Sequence, residues 1–536
     1  MKSIEDIVKE EIYKVLDRDF VLEKPRDLSF GNYATPIAFS LAKELRKNPM
    51  MIAEDLASGF QSDLADSIFD EVTAIKGFLN FKLSNKFFDK VAKDTLNDSI
   101  NFAKEEDKNS SILIEFVSAN PTGPLHIGHA RGAINGDTIA RIATHLGYKI
   151  DKEYYVNDAG AQIELLGLSL LLAGQENILK MDVQYPEKYY RGDYLIDLAN
   201  EAVKQFGKDV FINNQDNILK LADFAKPTVL EAIKKEMSDL GIEFDNYVSE
   251  KSLYINWESI QKQLQDANAL YENEGKVWLK STEHGDEKDR VVVRDSGEPT
   301  YLAGDIIYHQ NKYERGYDKY INIWGADHHG YIKRVKSSID FLGNDSAKLD
   351  IILAQMVSLL KDGQPFKMSK RAGTTVLLSE VLEDIGSDAL RFIFLTKKSD
   401  THLEFDLEDL KKQDSTNPIF YINYAHARIH QLIDKSDYNN DEITDTSLLD
   451  IDTSLSNLLY EALQLNSVIN DALSKYEMQK ITEYLYKLSA SLHKYYTEYK
   501  IVGSEDEKAK LKVLLIVALS LKTALGLLGI TAKDKM

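Results

Sequence analysis

The chain has 536 residues, enough for about three or four domains with substantial hydrophobic cores. Apolar residues make up 43% and charged residues 28%, a composition typical of folded proteins that excludes an intrinsically disordered chain. Because there is no cysteine, disulfides, thiolate zinc sites, iron–sulfur clusters and a cysteine nucleophile are also excluded. The net charge of −21 disfavours indiscriminate binding to nucleic acid or anionic lipid, so a polyanionic partner would need local basic patches.

The N-terminus does not resemble a secretion signal, since acidic residues stand where positive charge and an apolar run would be needed. The late apolar run at 513–521 is well short of the roughly 20 residues of a membrane span and predicts a buried helix. We therefore expect a cytoplasmic protein without membrane association.

The order of patterns predicts an α/β fold in three parts. Residues 1–105 mix an amphipathic helix at 37–45 with strand-like runs such as 77–83, which indicates a small α+β domain. Residues 106–412 alternate strand and helix: strands at 111–117 and 149–156, a helix at 128–146, and further strands at 320–324 and 349–353. An interruption of about residues 160–295 makes this a split Rossmann-type nucleotide-binding catalytic domain. Residues 413–536 predict an all-α bundle.

The most informative segment, residues 119–129, reads Ala-Asn-Pro-Thr-Gly-Pro-Leu-His-Ile-Gly-His and lies where the first strand of the α/β domain gives way to a helix. Backbone N–H groups and the positive helix end at such a turn suit phosphate. Gly123 and Gly128 allow close approach, and His126 and His129 supply two N–H donors for a phosphoryl transition state. The two histidines could instead hold a metal or be structural, but no third ligand is evident and we assign no metal-ligating residues.

A second segment, Lys367-Met368-Ser369-Lys370-Arg371, follows the last predicted strand and a predicted loop at 361–365. Three cations in five residues are often only a solvated loop. In a split nucleotide-binding fold, beside the histidine segment, they suggest a loop that closes over a triphosphate and neutralises the pyrophosphate leaving group.

His126-Ile127-Gly128-His129 and Lys367-Met368-Ser369-Lys370 are similar to the two signature motifs of class I aminoacyl-tRNA synthetases. Further stretches resemble the arginyl-tRNA synthetase family, and the similarity covers nearly the whole chain: residues 30–35, 115–124, 189–194, 240–245, 289–292, 324–330 and 421–428. The sequence departs from the family's pattern at two places. Asn423 stands where a Gln is common, and Ala303-Gly304 replaces a bulkier pair before Asp305.

The resemblance implies an arginine–tRNA ligase. It would activate L-arginine with ATP and Mg²⁺ to arginyl-adenylate and pass the arginyl group to the 2′-hydroxyl of the terminal adenosine of tRNA(Arg), releasing AMP and pyrophosphate. The alternatives are a catalytically inactive tRNA-binding paralogue and another class I synthetase. Residues 1–105 would contact tRNA, residues 413–536 would bind the anticodon, and a monomer is expected.

The resemblance also assigns the residues of the active site. His126, His129, Lys367 and Lys370 would be catalytic, and all but Lys367 would also contact ATP. The remaining predicted ATP contacts are Pro121, Gly123, Gly128, Asp327, Met368 and Ser369.

A guanidinium is a planar cationic fork that needs carboxylates and neutral acceptors around it. By resemblance, Glu115, Asn120, Tyr301, Asp305 and His328 would bind arginine. Glu115 and Asp305 could instead be structural ion-pair partners. Asp327, His328 and His329 are expected at the carboxyl edge of the sheet, where ligands of α/β folds bind.

The tRNA is expected to contact Tyr421, Tyr424 and Arg428, whose rings and guanidinium can stack on unpaired bases.

Overall fold

The computed structural model describes residues 3–61, 67–366 and 376–536. The chain forms two compact units. One comprises Met1–Glu106, Gln413–Lys475 and Lys480–Met536, and the other comprises Asp107–Lys412 and Tyr476–Gln479. The two terminal segments, which the sequence divides into two domains, thus share one compact unit. The boundaries at residues 105 and 412 stay predictions.

The N-terminal segment is an α+β structure, as expected. Its helices and strands are α1 (Ile4–Leu16), β1 (Tyr33–Thr35), α2 (Ile37–Leu45), α3 (Pro49–Gln61), β2 (Phe69–Ile75), β3 (Phe78–Leu83) and α4 (Asn85–Asn97). The strands form an antiparallel sheet of order β1-β3-β2. The two-residue turn Lys76-Gly77 joins β2 to β3, and both residues have positive φ (51° and 83°), the backbone that tight hairpins require.

The second unit alternates strands and helices. Its first half contains β4 (Ser111–Glu115), α5 (Ile127–His145), β5 (Lys149–Val156), α6 (Ala161–Asn177), α7 (Asp193–Phe206), α8 (Gln215–Asp239), β6 (Asn246–Ser249), α9 (Glu250–Leu253) and α10 (Trp257–Asp266). Its second half contains β7 (Leu270–Asn273), β8 (Lys276–Leu279), β9 (Arg290–Val293), α11 (Tyr301–Glu314), β10 (Lys319–Gly325), α12 (Ile332–Phe341), β11 (Leu349–Ala354), β12 (Val357–Lys361), β13 (Gln364–Pro365), α13 (Leu378–Phe394) and β14 (Leu403–Asp406).

The centre of this unit is a parallel sheet of strand order β11-β10-β4-β5-β6. Ile112, Leu113 and Ile114 of β4 are all buried, as expected for a parallel strand covered on both faces. The sequence-predicted strands and the first helix occur at nearly the predicted bounds, so the split Rossmann-type fold is confirmed.

Two features of this unit differ from the expectation. The interruption between β5 and β10 contributes a strand of its own, since β6 pairs with β5 at the edge of the sheet. Residues 361–365 form a hairpin rather than a loop: β12 and β13 pair antiparallel, and Asp362 and Gly363 take the positive φ of a tight turn (51° and 71°).

The C-terminal segment is helical, as predicted. Its helices are α14 (Pro418–Lys435), α15 (Asn440–Thr444), α16 (Thr453–Ala462), α17 (Leu465–Lys475), α18 (Gln479–Glu498) and α19 (Glu507–Leu527). Helix α19 contains the apolar run 513–521, most of whose side chains are buried, so the predicted buried helix is confirmed. Among the described helices, none combines the length and apolar character that a membrane crossing needs.

Candidate active site

Several polar side chains collect where the parallel strands end. Glu115 is the last residue of β4, Asp158 follows β5, Glu250 follows β6, and Asp327 follows β10. Because carboxyl ends of parallel strands lie on one edge of a sheet, these residues share the edge where α/β proteins bind ligands. The predicted position of Asp327, His328 and His329 at this edge is therefore confirmed.

The histidine segment forms the N-terminus of α5. His126 is the N-cap, and its Nδ1 accepts a hydrogen bond from Gly128 N at 3.1 Å. His129 Nδ1 accepts one from His126 N at 3.2 Å, and the two rings stack with centroids 3.6 Å apart. Since both Nδ1 atoms are acceptors, each neutral ring carries its proton on Nε2. A Cβ on Gly128 would lie 3.0 Å from the His126 ring, so only glycine leaves that ring its place.

Burial keeps both imidazoles neutral. It lowers the pKa of His126, and burial together with the neighbouring His126 lowers the pKa of His129 to about 3. At neutral pH the segment therefore presents two uncharged N–H donors at a helix N-terminus, an arrangement suited to phosphate oxygens.

Backbone hydrogen bonds fix the same segment to the start of α13. Ile127 N donates to Val376 O at 3.0 Å, and Leu378 N donates to Leu125 O at 2.9 Å. Val376 and Leu378 belong to the chain that follows the second signature motif. The four predicted residues of that motif, Lys367, Met368, Ser369 and Lys370, lie outside the described residues.

The Asp305 carboxylate forms no ion pair within the described residues, although the more distant charges of Arg334 and Lys312 act to lower its pKa. It lies on α11, and no hydrogen bond or ion pair joins it to a side chain in the described ranges. Burial, and then the charges of Glu115 and Glu250, raise the pKa of Asp305 to about 7. An unpaired carboxylate kept in such a place is suited to a cationic ligand.

Glu250 is a second such carboxylate, and the sequence analysis missed it. Its side chain is 4% exposed, Oε1 accepts from the Tyr254 hydroxyl at 3.3 Å, and Oε2 has no hydrogen-bond partner among the described residues. Burial raises its pKa to about 7. The one sequence feature that could have indicated Glu250 is its position directly after the short strand β6, and the sequence did not predict that strand.

Asp158 and Gly304 hold Glu250 in place. Asp158 Oδ1 accepts from Ser249 Oγ at 2.9 Å and from Lys251 N at 3.0 Å, which fixes the turn from β6 to α9. A Cβ on Gly304 would lie 2.8 Å from Glu250 Oε1 and 3.0 Å from the Tyr254 hydroxyl. The unusual Ala303-Gly304 pair therefore has a structural reason, since it leaves room for the glutamate.

Glu115 is already paired within the protein. Its Oε2 accepts from Lys312 Nζ at 2.6 Å and its Oε1 from Ser118 Oγ at 2.9 Å, and the Lys312 side chain is 1% exposed. Lys312 Nζ also donates to Asn322 Oδ1 at 2.8 Å. This geometry favours the structural alternative for Glu115, whereas Asp305 is left available for a ligand.

The other predicted ligand-binding residues lie nearby with their polar groups only partly engaged. Asn120 donates to Gln162 Oε1, and Tyr301 is half exposed at the first position of α11. Asp327 and His328 are exposed and form a loose pair, with 3.7 Å between His328 Nε2 and Asp327 Oδ2. Pro121 and Gly123 lie in the loop before α5.

The predicted tRNA-binding residues lie in the other unit, on α14. The Tyr421 ring centroid is 4.6 Å from that of His493, and the Arg428 guanidinium lies 3.9 Å from the Tyr496 ring centroid. Tyr424 is 36% exposed and, with Tyr421, lines a recess of about 200 Å³. The recess is apolar and open, as a stacking platform for a base requires.

One group of side chains in the described ranges could hold a metal ion, although the sequence analysis assigned no metal ligands: His426, His430 and Asp534. His426 Nδ1 lies 3.0 Å from the Lys533 carbonyl, and Lys533 N donates to Asn423 Oδ1 at 3.0 Å. His426 and Asn423 of α14 thus contact the backbone of the C-terminal tail at Lys533. This structural role is sufficient to explain His426.

Comparisons with known proteins agree along the chain. Family models match residues 91–436 (tRNA synthetases class I (R), catalytic domain), 422–536 (DALR anticodon binding domain) and 2–83 (arginyl tRNA synthetase N terminal domain). The arginine–tRNA ligase of Aliarcobacter butzleri is 58% identical over 533 residues, which cover 99% of this chain and 100% of that protein.

Solved structures agree as well. An arginyl-tRNA synthetase structure from Campylobacter jejuni is 55% identical and superposes with a TM-score of 0.82 over 85% of this chain and 100% of that one. The Thermus thermophilus arginyl-tRNA synthetase, at 20% identity and a TM-score of 0.77 over 99% of this chain and 100% of that one, shows the same fold.

A split parallel sheet with a histidine-bearing helix N-terminus at its carboxyl edge, matched by a class I catalytic-domain model, defines a class I aminoacyl-tRNA synthetase, a class that uses ATP. With all three family models and full-length relatives in agreement, the chain belongs to the arginyl-tRNA synthetase family.

Proposed function

We propose that the carboxyl edge of the parallel sheet activates L-arginine with ATP and transfers it to the terminal adenosine of tRNA(Arg), an arginine–tRNA ligase reaction. The observation that carries this conclusion is the pair of carboxylates, Asp305 and Glu250, which have no basic partner in the described part of the chain. Of the amino-acid side chains, a guanidinium offers the five N–H donors and permanent charge that two carboxylates can share.

The pocket distinguishes arginine from lysine by geometry. An ammonium is a compact point charge, whereas a guanidinium is a planar fork that can donate to Asp305 and Glu250 together. Tyr301, Asn120 and His328 complete the proposed arginine site, whereas Glu115, buried and paired with Lys312, is a structural group whose charge acts on Asp305.

The chemistry requires no protein nucleophile. In the first step an arginine carboxylate oxygen attacks the α-phosphorus of ATP, and the bond from that phosphorus to pyrophosphate breaks. The Nε2–H groups of His126 and His129 stabilise the charge that develops on phosphate oxygens. Lys367 and Lys370 are proposed to neutralise the leaving pyrophosphate, and Pro121, Gly123, Gly128, Asp327, Met368 and Ser369 to contact ATP.

In the second step the 2′-hydroxyl of the terminal ribose attacks the arginyl carbonyl, and AMP leaves with the bridging oxygen. Mg²⁺ is proposed to enter bound to the ATP phosphates. The described side chains at the α5 N-terminus present N–H donors rather than the oxygen ligands that Mg²⁺ prefers, so we assign no protein ligand to it.

The tRNA is proposed to meet the first unit of the chain. Residues 1–105 would contact the body of the tRNA and residues 413–536 its anticodon region, with Tyr421, Tyr424 and Arg428 stacking on unpaired bases. We further propose that the protein acts as a monomer in the cytoplasm. Neither alternative, an inactive paralogue or another class I synthetase, finds support in the comparisons.

Aminoacylation of total tRNA with each of the twenty amino acids tests the proposal. We expect ATP-dependent charging with arginine and with no other amino acid. His129→Ala should lower kcat by about 10²-fold or more, since it removes a donor to the transition state. His402→Ala, an exposed histidine of the same unit, is the matched control and should retain wild-type kcat. Charging with a different amino acid, or tRNA binding without charging, would overturn the proposal.

A further inference from the structure

Glu236, near the end of α8, contacts the backbone of the first signature motif. Its Oε2 accepts a hydrogen bond from Leu125 N at 2.9 Å. Leu125 immediately precedes His126, and its carbonyl is engaged by Leu378 N at 2.9 Å. Leu125 is thus held by two hydrogen bonds: its carbonyl accepts from the Leu378 amide, and its amide donates to the Glu236 carboxylate.

The Glu236 carboxylate has no basic partner in the described ranges that would explain its place. The adjacent Lys235 is committed to Asp239, with 2.7 Å between Nζ and Oδ2. The side chain is partly buried, and this burial raises its pKa to about 7. Burying a carboxylate is costly, and here a backbone N–H is its hydrogen-bond partner. This indicates that the hydrogen bond from Leu125 N has a role in the protein.

Two hydrogen bonds fix the chain just after α8, as the support of a positioning group requires. Arg141 Nη2 of α5 donates to Gly241 O at 2.9 Å, and Arg391 Nη1 of α13 donates to Leu240 O at 2.9 Å. These two bonds dock the chain just after α8 against both helices that flank the signature segments. Glu236 therefore reaches Leu125 from a fixed base.

We propose that Glu236 is a positioning residue for the first signature motif: by holding Leu125 N–H, it sets where the His126 imidazole lies when phosphate charge develops. A displacement of about 1 Å at a reacting group can lower a rate about 10²-fold. The inference rests on the proposed function, since it assigns His126 to the adenylation step.

Three substitutions separate the hydrogen bond from the charge. Glu236→Gln keeps the length of the side chain and an acceptor oxygen but removes the charge. Glu236→Asp keeps the charge but is one methylene too short to reach Leu125 N. Glu236→Ala removes both. Glu231→Ala, at an exposed residue of the same helix that forms an ion pair with Lys234, is the matched control.

The measurement is steady-state aminoacylation with saturating tRNA, beside thermal unfolding of each variant. We expect Glu236→Asp and Glu236→Ala to lower kcat about 10- to 100-fold while the KM values for arginine and ATP change less than about threefold. Glu236→Gln should retain kcat within about threefold, and Glu231→Ala should match the wild type.

Two outcomes would overturn the inference. Equal kcat for the Asp and Gln variants would show that reach to Leu125 N is unimportant. A lower unfolding temperature with an unchanged kcat, calculated per folded enzyme, would show a purely structural role. Because kcat is calculated per folded enzyme, the comparison remains valid even if the Ala variant is unstable. Failure of the wild type to charge arginine would instead refute the proposed function, so the two failures are distinguishable.

Discussion

The Asp305 carboxylate forms no ion pair in the described ranges, and the charge of Glu250 raises its pKa. This arrangement makes a direct prediction. Asp305→Asn keeps the size of the side chain and one acceptor but removes the charge that we propose opposes the guanidinium of arginine. The loss of one charge-assisted hydrogen bond, worth about 1.5 to 3 kcal/mol, should raise the KM for arginine roughly 10- to 150-fold. The KM for ATP should stay nearly unchanged, and rejection of citrulline should weaken.

Glu314→Gln on the same helix is the control for that experiment, because its side chain is exposed and lies at the far end of α11. It should leave every kinetic constant unchanged. An Asp305→Asn enzyme with normal arginine dependence and normal rejection of citrulline would make Asp305 structural and leave Glu250 as the main partner of the guanidinium.

The raised pKa values of Asp305 and Glu250 predict how arginine stabilises the protein at different pH. Both lie near 7, well above the ordinary carboxyl range, so the folded protein binds protons there that the unfolded chain releases. The stability contributed by these protonated carboxyls is lost as pH rises through about 7, and a bound guanidinium offsets that loss. Arginine should therefore raise the unfolding temperature more at pH 8 than at pH 6.

Differential scanning fluorimetry at both pH values, with and without arginine, measures this effect. Asp305→Asn should flatten the difference, because one of the two titrating groups is gone. An arginine shift that is equal at the two pH values in the wild type would mean that the carboxylates do not titrate in this range.

At the same scale, the sequence indicated some residues of the proposed pocket but not Glu250. The two histidines were proposed from a motif that is local in sequence, and Asp305 was proposed from the resemblance to the family. Glu250 could not be found from a local pattern, since it follows a four-residue strand that sequence periodicity does not reveal. The pairing of Glu115 with Lys312 joins residues 197 positions apart, and no local pattern encodes such a contact.

Among the elements, long segments with strong periodicity were predictable and short ones were not. Strands β4, β10 and β11 are rich in apolar and aromatic residues, β5 ends in the buried run Tyr-Tyr-Val, and α5 is a helix of 19 residues. The hairpin of β12 and β13 was predicted as a loop because its second strand has only two residues. Its stability comes from pairing with neighbours that sequence alone does not place.

Gly386 interrupts α13 with a backbone that is not helical (φ 76°, ψ 165°). No atom lies within 4 Å of where a Cβ would be, so Gly386→Ala would meet no steric clash, only the strain of positive φ. Because φ 76° with ψ 165° is a backbone conformation that essentially only glycine adopts, the substitution should destabilise the protein by about 1 to 3 kcal/mol. We expect a lower midpoint in urea unfolding for this variant.

Gly526 provides the matched comparison, since it lies in α19 with helical φ and equally open surroundings. Gly526→Ala should stabilise its unit by about 0.5 to 1 kcal/mol, because alanine loses less conformational freedom in a helix. If both substitutions shifted the midpoint in the same direction, backbone conformation would not be the cause.

For the whole molecule, the proposed active site and the proposed tRNA platform lie in different compact units, so their effects should separate. Tyr424→Ala removes a stacking surface worth about 1 to 3 kcal/mol per base and should raise the KM for tRNA roughly 5- to 150-fold. The KM values for arginine and ATP should not change. Lys435→Gln, an exposed charge on the same helix, should have little effect.

These constants are measured by varying tRNA at saturating arginine and ATP. A Tyr424→Ala enzyme with normal KM for tRNA would remove the α14 rings from the tRNA interface. A change in the arginine KM instead would show that the two units are coupled through α14.

The unpaired carboxylates of Asp305 and Glu250 also bear on the accuracy of translation. In the proposed arginine site, a neutral amino acid that enters while both carboxylates are ionised leaves two charges uncompensated, and this penalty opposes its binding. As pH falls below about 7 the carboxyls take up protons and the penalty shrinks. Acidification should therefore raise the fraction of tRNA(Arg) carrying an uncharged analogue such as citrulline, so that the fidelity of the arginine codons depends on proton concentration.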